Sequence, residues 1–207
     1  MTCTFLPHRL ARTSNQRGAS LIMVMIVLTI VSMLGVAGIQ ISMMSERGAR
    51  NDRDLQIAWQ SAEAALIDAE FDIYGPGAST RRSTFTVGDI SVFASGCGLN
   101  GTAVSGLCTL ATTGKPAWLT VDFTATGAAA RTTQFGDFTG RTFAAGGAGI
   151  QPAKPPRYVI EPLRDYVGGG NSRDLSATNP NFVYRVTSMG FGPRPEIQAL
   201  VQMVYRD

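Results

Sequence analysis

The hydrophobic pattern of the chain begins with one long run that carries no charge. The run extends over residues 19–44, and Arg17 and Gly18 stand directly before it. As a helix these residues would be about 39 Å long, more than the hydrocarbon core of about 30 Å in a bilayer. The apolar core of an ordinary secretory signal is much shorter. The run therefore predicts a membrane-spanning helix.

After Glu46 the pattern changes to that of an amphipathic helix. Apolar residues recur at intervals of four and three, which predicts one apolar face on a helix that needs a sheet to cover it. The predicted helix–sheet core consists of Leu55, Trp59, Ala62, Leu66, Ala69 and Ile73. Acidic residues lie off this stripe, and pairs such as Glu63 with Glu70 are expected on a solvated face. No proline occurs between Gly18 and Gly75, so we predict one continuous helix that ends at residues 75–77.

The last fifty residues have the alternation of β-strands. Three strands are predicted at residues 157–163, 182–189 and 196–206, and their local connections favour an antiparallel meander. Two further strands are predicted at residues 84–94 and 118–125, inside a region rich in Gly, Ala, Ser and Thr. The fold class is therefore α+β, with a long N-terminal helix and a C-terminal antiparallel sheet.

Charge gives the predicted orientation of the chain. The net charge is only +3, and three of the 18 basic residues precede the apolar run. The remainder is near neutral, so nucleic-acid binding has no electrostatic support. The flank before the run is basic, whereas residues 46–54 mix both signs. We expect the N-terminus to stay in the cytoplasm and the rest to cross the membrane.

The inventory of reactive side chains argues against an enzyme. His8 is the only histidine, and it precedes the apolar run. A chain processed after that point could use neither a histidine base nor a histidine metal ligand. Nucleotide and calcium motifs are also missing. We therefore predict no catalytic residue, no metal site and no cofactor.

The cysteines predict one disulfide. Cys3 lies before the apolar run, whereas Cys97 and Cys108 follow it in the part expected to be exported. Two cysteines in an oxidising compartment usually pair. We expect Cys97 and Cys108 to close a short loop.

Three stretches of the chain resemble PilX-type minor pilins of type IV pili. Residues 16–21, Gln-Arg-Gly-Ala-Ser-Leu, look like a class III prepilin cleavage site, and residues 57–66 resemble the N-terminal PilX pattern. Residues 156–161 and 184–192 resemble the C-terminal PilX region. The resemblance implies that a prepilin peptidase cuts after Gly18 and methylates Ala19.

The resemblance also implies how the chain is divided. A leader would cover residues 1–18, and a transmembrane and assembly helix residues 19–44. The amphipathic half of the helix would cover residues 45–77, a variable region residues 78–156, and the C-terminal β region residues 157–207. The expected fold is that of type IV pilins.

One position departs from the pilin pattern. Most pilins carry Glu at mature position 5, where this chain has Met23. A tip subunit has no subunit above it to pair with such a carboxylate. The resemblance therefore implies a minor pilin that primes filament initiation at or near the pilus tip. Its expected partners are other minor pilins, the major pilin and a large tip adhesin, first in the inner membrane and then at the cell surface.

Two alternatives remain open at the level of sequence. The same architecture occurs in minor pseudopilins of type II secretion, although the tip pseudopilin is usually larger. The other alternative is a membrane-anchored periplasmic enzyme or binding protein, with residues 35–37 as a signal-peptidase site. The mature N-terminus distinguishes the two classes: methylated Ala19 supports a pilin, and Gly38 supports the exported enzyme. Gly35 and Gly38 themselves suit either close helix packing or a weak point in the helix.

Overall fold

The computed structural model describes residues 19–77, 80–86, 90–143, 148–165 and 182–206. The described residues fall into two compact units, divided between residues 49 and 50. Helix α1, Ala19–Tyr74, is continuous over 56 residues and ends before Gly75. The prediction of one long helix is confirmed. Residues 1–18, including the expected cleavage residue Gly18, lie outside the described residues.

The C-terminal part forms a four-stranded antiparallel sheet in the order β1-β2-β3-β4. The strands are β1 Thr133–Gln134, β2 Arg157–Arg164, β3 Phe182–Phe191 and β4 Gln198–Tyr205. The predicted meander of three strands is confirmed as β2, β3 and β4. Strand β1 was not predicted, because two residues are too few to show an alternating pattern.

The main core lies between one face of this sheet and the second half of α1. The helix contributes Ala65, Leu66, Ala69 and Ile73, and the sheet contributes Tyr158, Ile160, Tyr184 and Val186. Alternate residues of β2 and β3 point to this face, as the period of a strand requires. The α+β, pilin-like arrangement predicted from the sequence is therefore the observed one.

The predicted core stripe is wrong at its N-terminal end. Ala62, Leu66, Ala69 and Ile73 are buried, but Leu55 and Trp59 are 41% and 45% exposed. The reason is the close approach of β3 to the helix. A Cβ atom on Gly190 would clash with the backbone oxygen of Ala58 and the backbone nitrogen of Ala62.

This contact admits only small side chains, so it selects the alanine face of α1. Ala58, Ala62, Ala65 and Ala69 are all fully buried. A large indole placed between helix and strand would force them apart, since protein interiors have few voids to absorb it. The buried face is therefore rotated away from Trp59, which lies at its flank.

The opposite face of the sheet carries a second, smaller core. Val159 of β2 packs there with Cys97, Cys108, Ala117 and Phe123. The segment between α1 and β1 supplies these residues through short helical turns and loops. Its elements are α2 Arg82–Thr86, α3 Ala117–Thr120 and two 3₁₀ turns, Ile90–Val92 and Gly127–Ala129.

Both strands predicted in this segment are wrong. Where the structure describes residues 84–94, it has the end of α2 and a 3₁₀ turn, and Phe85 and Phe93 enter the core from them. Residues 118–125 begin in α3, where the backbone N–H of Val121 donates to the carbonyl of Ala117. A run of alternating apolar and polar residues forms a strand only if a neighbouring strand is there to pair with it. In addition, Pro116 lies directly before α3, and its fixed φ also suits the start of a helix.

Candidate functional site on helix α1

The first half of α1 presents apolar side chains on its whole circumference. Every described side chain over residues 20–44 is exposed. The large apolar ones range from 52% exposed at Met43 to 72% at Met23. Soluble proteins rarely expose apolar surface on this scale, so the segment needs lipid or other apolar helices around it. By length and composition the helix can cross a membrane, and it is consistent with a single-pass anchor.

Two hydroxyl side chains inside the apolar run are satisfied by the helix itself. Thr29 donates to the carbonyl of Ile26 at 2.8 Å, and Ser32 donates to that of Leu28 at 2.7 Å. An unsatisfied polar group is costly in hydrocarbon, where no water can bond to it. These local bonds therefore make both hydroxyls compatible with an apolar environment.

The residues expected to define the mature N-terminus are placed only in part. Ala19 is the first residue of α1, and Gly18 lies outside the described residues. Met23, at the expected fifth mature position, is on the exposed surface of the helix. Its thioether has no charge, so the helix carries no carboxylate at this depth.

The second half of α1 is held by a fully buried carboxylate, that of Asp72. It accepts hydrogen bonds from the guanidinium and the backbone N–H of Arg81, the latter at 3.2 Å. The hydroxyl of Tyr158 donates to the same carboxylate at 3.0 Å. We call these three residues the Asp72 clasp. It joins the end of α1 to the following loop and to strand β2.

The cation of the clasp is as well satisfied as its anion. Arg81 also donates to the carbonyl of Ser105 at 2.6 Å, and its guanidinium lies 3.8 Å from the ring centroid of Phe138. A buried ion pair is tolerated only when such additional bonds satisfy both partners. Burial and the negative charge of Asp72 raise the pKa of Tyr158 well above its ordinary value. The phenol therefore stays protonated and remains a donor.

A second buried carboxylate lies one helical turn earlier. Asp68 accepts hydrogen bonds from the N–H of Gly136 at 2.8 Å and the hydroxyl of Thr139 at 2.6 Å. Arg141 lies 3.6 Å away, with its guanidinium over the ring of Phe71. Burial raises the pKa of Asp68, although these bonds and the charge of Arg141 act in the opposite direction. The contacts fix the loop after β1 against α1.

The sheet contains a third buried carboxylate, Glu161 on β2. It pairs across the sheet with Arg185 of β3 at 2.9 Å, and its other oxygen has no hydrogen-bond partner among the described residues. Such a pair between neighbouring strands fixes their register through both charge and geometry.

Sequence reasoning missed these buried carboxylates, although a signal for two of them exists. Asp68 and Asp72 are four residues apart and adjoin Ala65 and Ala69, which places all four on one side of the helix. Whether such acids face solvent depends on distant partners. Tyr158 is 86 positions away from Asp72 in the sequence.

Cys97 and Cys108 form a disulfide, as expected from the sequence. Both residues are buried against Val159 on the far side of the sheet. The backbone N–H of Cys108 donates to the carbonyl of Ile160 at 2.9 Å, so the bridged loop runs directly beside β2. The disulfide closes the loop, and this hydrogen bond and the contact with Val159 hold the loop against the sheet.

Two protein-family models match the chain. The model for the C-terminal part of the type IV pilus assembly protein PilX matches residues 104–207, and the PilX N-terminal model matches residues 17–66. The chain belongs to the PilX family. It is a minor pilin that takes part in type IV pilus assembly.

The PilX matches correspond to distinct parts of the structure. The N-terminal match contains the apolar run and the alanine face of α1 as far as Leu66. The C-terminal match contains all four strands and begins well before residue 156, the first residue of the expected C-terminal resemblance. The intervening residues 67–103 include Asp68, Asp72 and Arg81. Searches of curated proteins and of solved structures found no match.

Proposed function

We propose that this PilX-family protein lies at or near the tip of a type IV pilus and helps to start the filament. The observation that carries the proposal is Met23, an exposed apolar residue where most pilins have a carboxylate. In the filament that carboxylate is expected to meet the N-terminal amine of a neighbouring subunit. A subunit without it docks poorly beneath another and so suits an end of the filament better than the shaft.

A starting role follows from the surface of the apolar segment. The first helices to leave the membrane have few neighbours, and their apolar side chains lose lipid before they gain other helices. A complex of minor pilins that provides those neighbours lowers this barrier. The partners we propose are other minor pilins, the major pilin and a large tip adhesin.

The route to that position begins in the inner membrane. Basic residues precede the apolar run, so the N-terminus stays in the cytoplasm and the sheet lies in the periplasm. A prepilin peptidase then removes the leader after Gly18 and methylates Ala19. Gly18→Val should leave a membrane-bound precursor of full length, because a bulky residue does not fit such a site. Normal shortening of this variant, measured by mass spectrometry, contradicts the processing proposal.

Deletion of the gene tests the starting role. We expect fewer surface pili, with the major pilin still present at its normal level. Removal of the retraction motor as well should bring back some pili, because rare starts then accumulate. Normal pilus numbers with unchanged motility and adhesion in the single deletion would contradict the proposal.

The PilX family is a structural family, and we propose that this chain has no catalytic activity of its own. Its only histidine, His8, belongs to the segment expected to be removed. Its buried acids are occupied by structural contacts, as in the Asp72 clasp.

A further inference from the structure

One row of side chains on the second half of α1 has no role in the core described above. It runs at intervals of four residues and consists of Leu55, Trp59, Glu63, Ile67 and Phe71. We call it the exposed ridge. Its four apolar members are 41%, 45%, 48% and 44% exposed. Four large apolar side chains in one row exceed the single exposed residues that are normal on a protein surface.

The contacts of the domain leave this row uncovered. The sheet packs against the alanine face, where Ala58 and Ala62 meet Gly190. Of the aromatic pair on the ridge, Phe71 is touched on one side by the guanidinium of Arg141, 4.7 Å from its centroid, and is still exposed. Half-exposed aromatic residues of this kind are enriched at protein interfaces.

We propose that the exposed ridge is the docking surface for an α-helix of a neighbouring pilin subunit that carries a basic residue opposite Glu63. The proposal rests on assembly of this chain with other pilins, as proposed above, and names the surface involved. Residues four apart on a helix form a ridge that fits the groove between two such rows on another helix. From Leu55 to Phe71 the ridge is about 24 Å long, enough for four turns of a partner.

The charge at the centre of the ridge selects among partners. Glu63 is exposed and makes no hydrogen bond or ion pair among the residues that the structure describes. An apolar helix without a cation would cover this carboxylate and leave it unpaired, which is costly. A lipid surface is also disfavoured, because membrane surfaces are anionic and repel the carboxylate of Glu63. A basic residue on the partner helix satisfies both the apolar row and the acid.

Photo-crosslinking in cells that contain all pilins tests the ridge directly. A photoreactive phenylalanine would replace Trp59 or Phe71 in the full-length protein, and Leu119 in a matched control. Leu119 is 54% exposed but lies in α3, whose Ala117 packs with Val159 on the face of the sheet opposite α1. We expect adducts from both ridge positions that map by mass spectrometry to the long helix of another pilin, with yield at least several-fold above that of the control.

The charge is tested by reversal. Glu63→Lys should reduce the adduct yield several-fold, and reversal of the mapped basic residue on the partner should restore it. Glu196→Lys, at an exposed acid in the turn before β4, is the control and should change nothing. The variants must reach normal levels in the membrane and keep the Cys97–Cys108 disulfide.

The possible outcomes are distinct. Adducts that are absent, that contain only lipid, or that map to the sheet domain of a partner overturn the proposal, as does an unchanged yield in Glu63→Lys. Pilus numbers in the deletion strain report on the starting role and not on the ridge. A deletion strain with normal pili would reject the starting role, whereas adducts mapped to a pilin helix would still support the docking surface.

Discussion

The two halves of helix α1 differ in which side chains they expose and which they bury. Residues 20–44 contain no charged side chain, and every described side chain among them is exposed. The half that follows residue 50 is rich in charge, yet Asp68 and Asp72 are fully buried while Trp59 and Phe71 are exposed. Residue type therefore does not by itself determine burial along this helix.

The difference arises from what each half has as a neighbour. The first half buries none of its described side chains, so its apolar surface requires lipid or other helices. The second half lies against a sheet and its loops, which supply hydrogen-bond donors for two carboxylates. Burial of a charge is possible there because the partners are already in place.

The largest effect is expected from breaking the Asp72 clasp. Arg81→Ala leaves the carboxylate of Asp72 buried without its cation, and the free energy of unfolding should fall by about 3–5 kcal/mol. Urea unfolding of the full-length protein in detergent measures this. Arg164→Ala, at the exposed end of β2, is the control and should change stability by at most about 0.5 kcal/mol.

Such a result would show that the second half is held by charge as well as by apolar packing. A loss below about 1 kcal/mol in Arg81→Ala, within the range of ordinary hydrogen bonds, would contradict that conclusion.

The disulfide lies on the face of the sheet opposite the main core. Replacing Cys97 and Cys108 by alanine should lower the free energy of unfolding by about 3 kcal/mol, because the unfolded chain is no longer cross-linked. The helical content of the first half should not change, since the backbone hydrogen bonds of a helix lie within the helix itself. Thiol labelling of the denatured, unreduced wild-type protein is the companion measurement. The finding of two reactive thiols in the exported part would reject the bridge.

A substitution at Gly190 tests whether the close approach of β3 to α1 determines which side of the helix is buried. Gly190→Ala places a methyl group against the backbone of Ala58 and Ala62 and should destabilise the protein by about 1–3 kcal/mol. Gly48→Ala is the matched control, because a Cβ at that helical position meets nothing within 4 Å. It should leave stability unchanged or raise it by up to about 1 kcal/mol through helix propensity. Equal effects of the two substitutions would reject the close-packing explanation.

The smallest expected effect is a dependence on alkaline pH. Burial first, and then the charge of Glu70, raise the pKa of Tyr205 to about 12, and its hydroxyl donates to the carbonyl of Leu66. An acid whose pKa is higher in the folded state binds its proton more tightly there. Stability should therefore fall as pH rises from about 10 to about 12, by at most about 1.4 kcal/mol per unit for this group.

The raised pKa of Tyr158 also makes stability fall at alkaline pH. Residues 19–44 contain no ionisable side chain and contribute nothing to this dependence. Tyr205→Phe should reduce the slope of unfolding free energy against pH in this interval. An unchanged slope would show that the phenol does not titrate differently in the folded and unfolded states.

The sequence alone determined the elements that depend on long, regular patterns. The uncharged run, the continuous helix to Tyr74 and the three C-terminal strands all follow from periodicity and from Gly and Pro at the ends. The pairing of Cys97 with Cys108 follows from the number of cysteines and the expected compartment. Each of these properties depends on residues that are close together in the sequence or on the number of cysteines. No distant contact is needed to predict it.

Which side of α1 is buried depends on contacts that are distant in the sequence. The stripe containing Leu55 and Trp59 was a reasonable core by spacing, yet Gly190 approaches so closely that the alanine face is selected instead. The helical turns in the segment before β1, and the burial of Asp68 and Asp72, depend likewise on partners far away in the sequence. The spacing of apolar residues predicts that a helix has a buried face. The shape of the opposing surface and its hydrogen-bond donors determine which face that is.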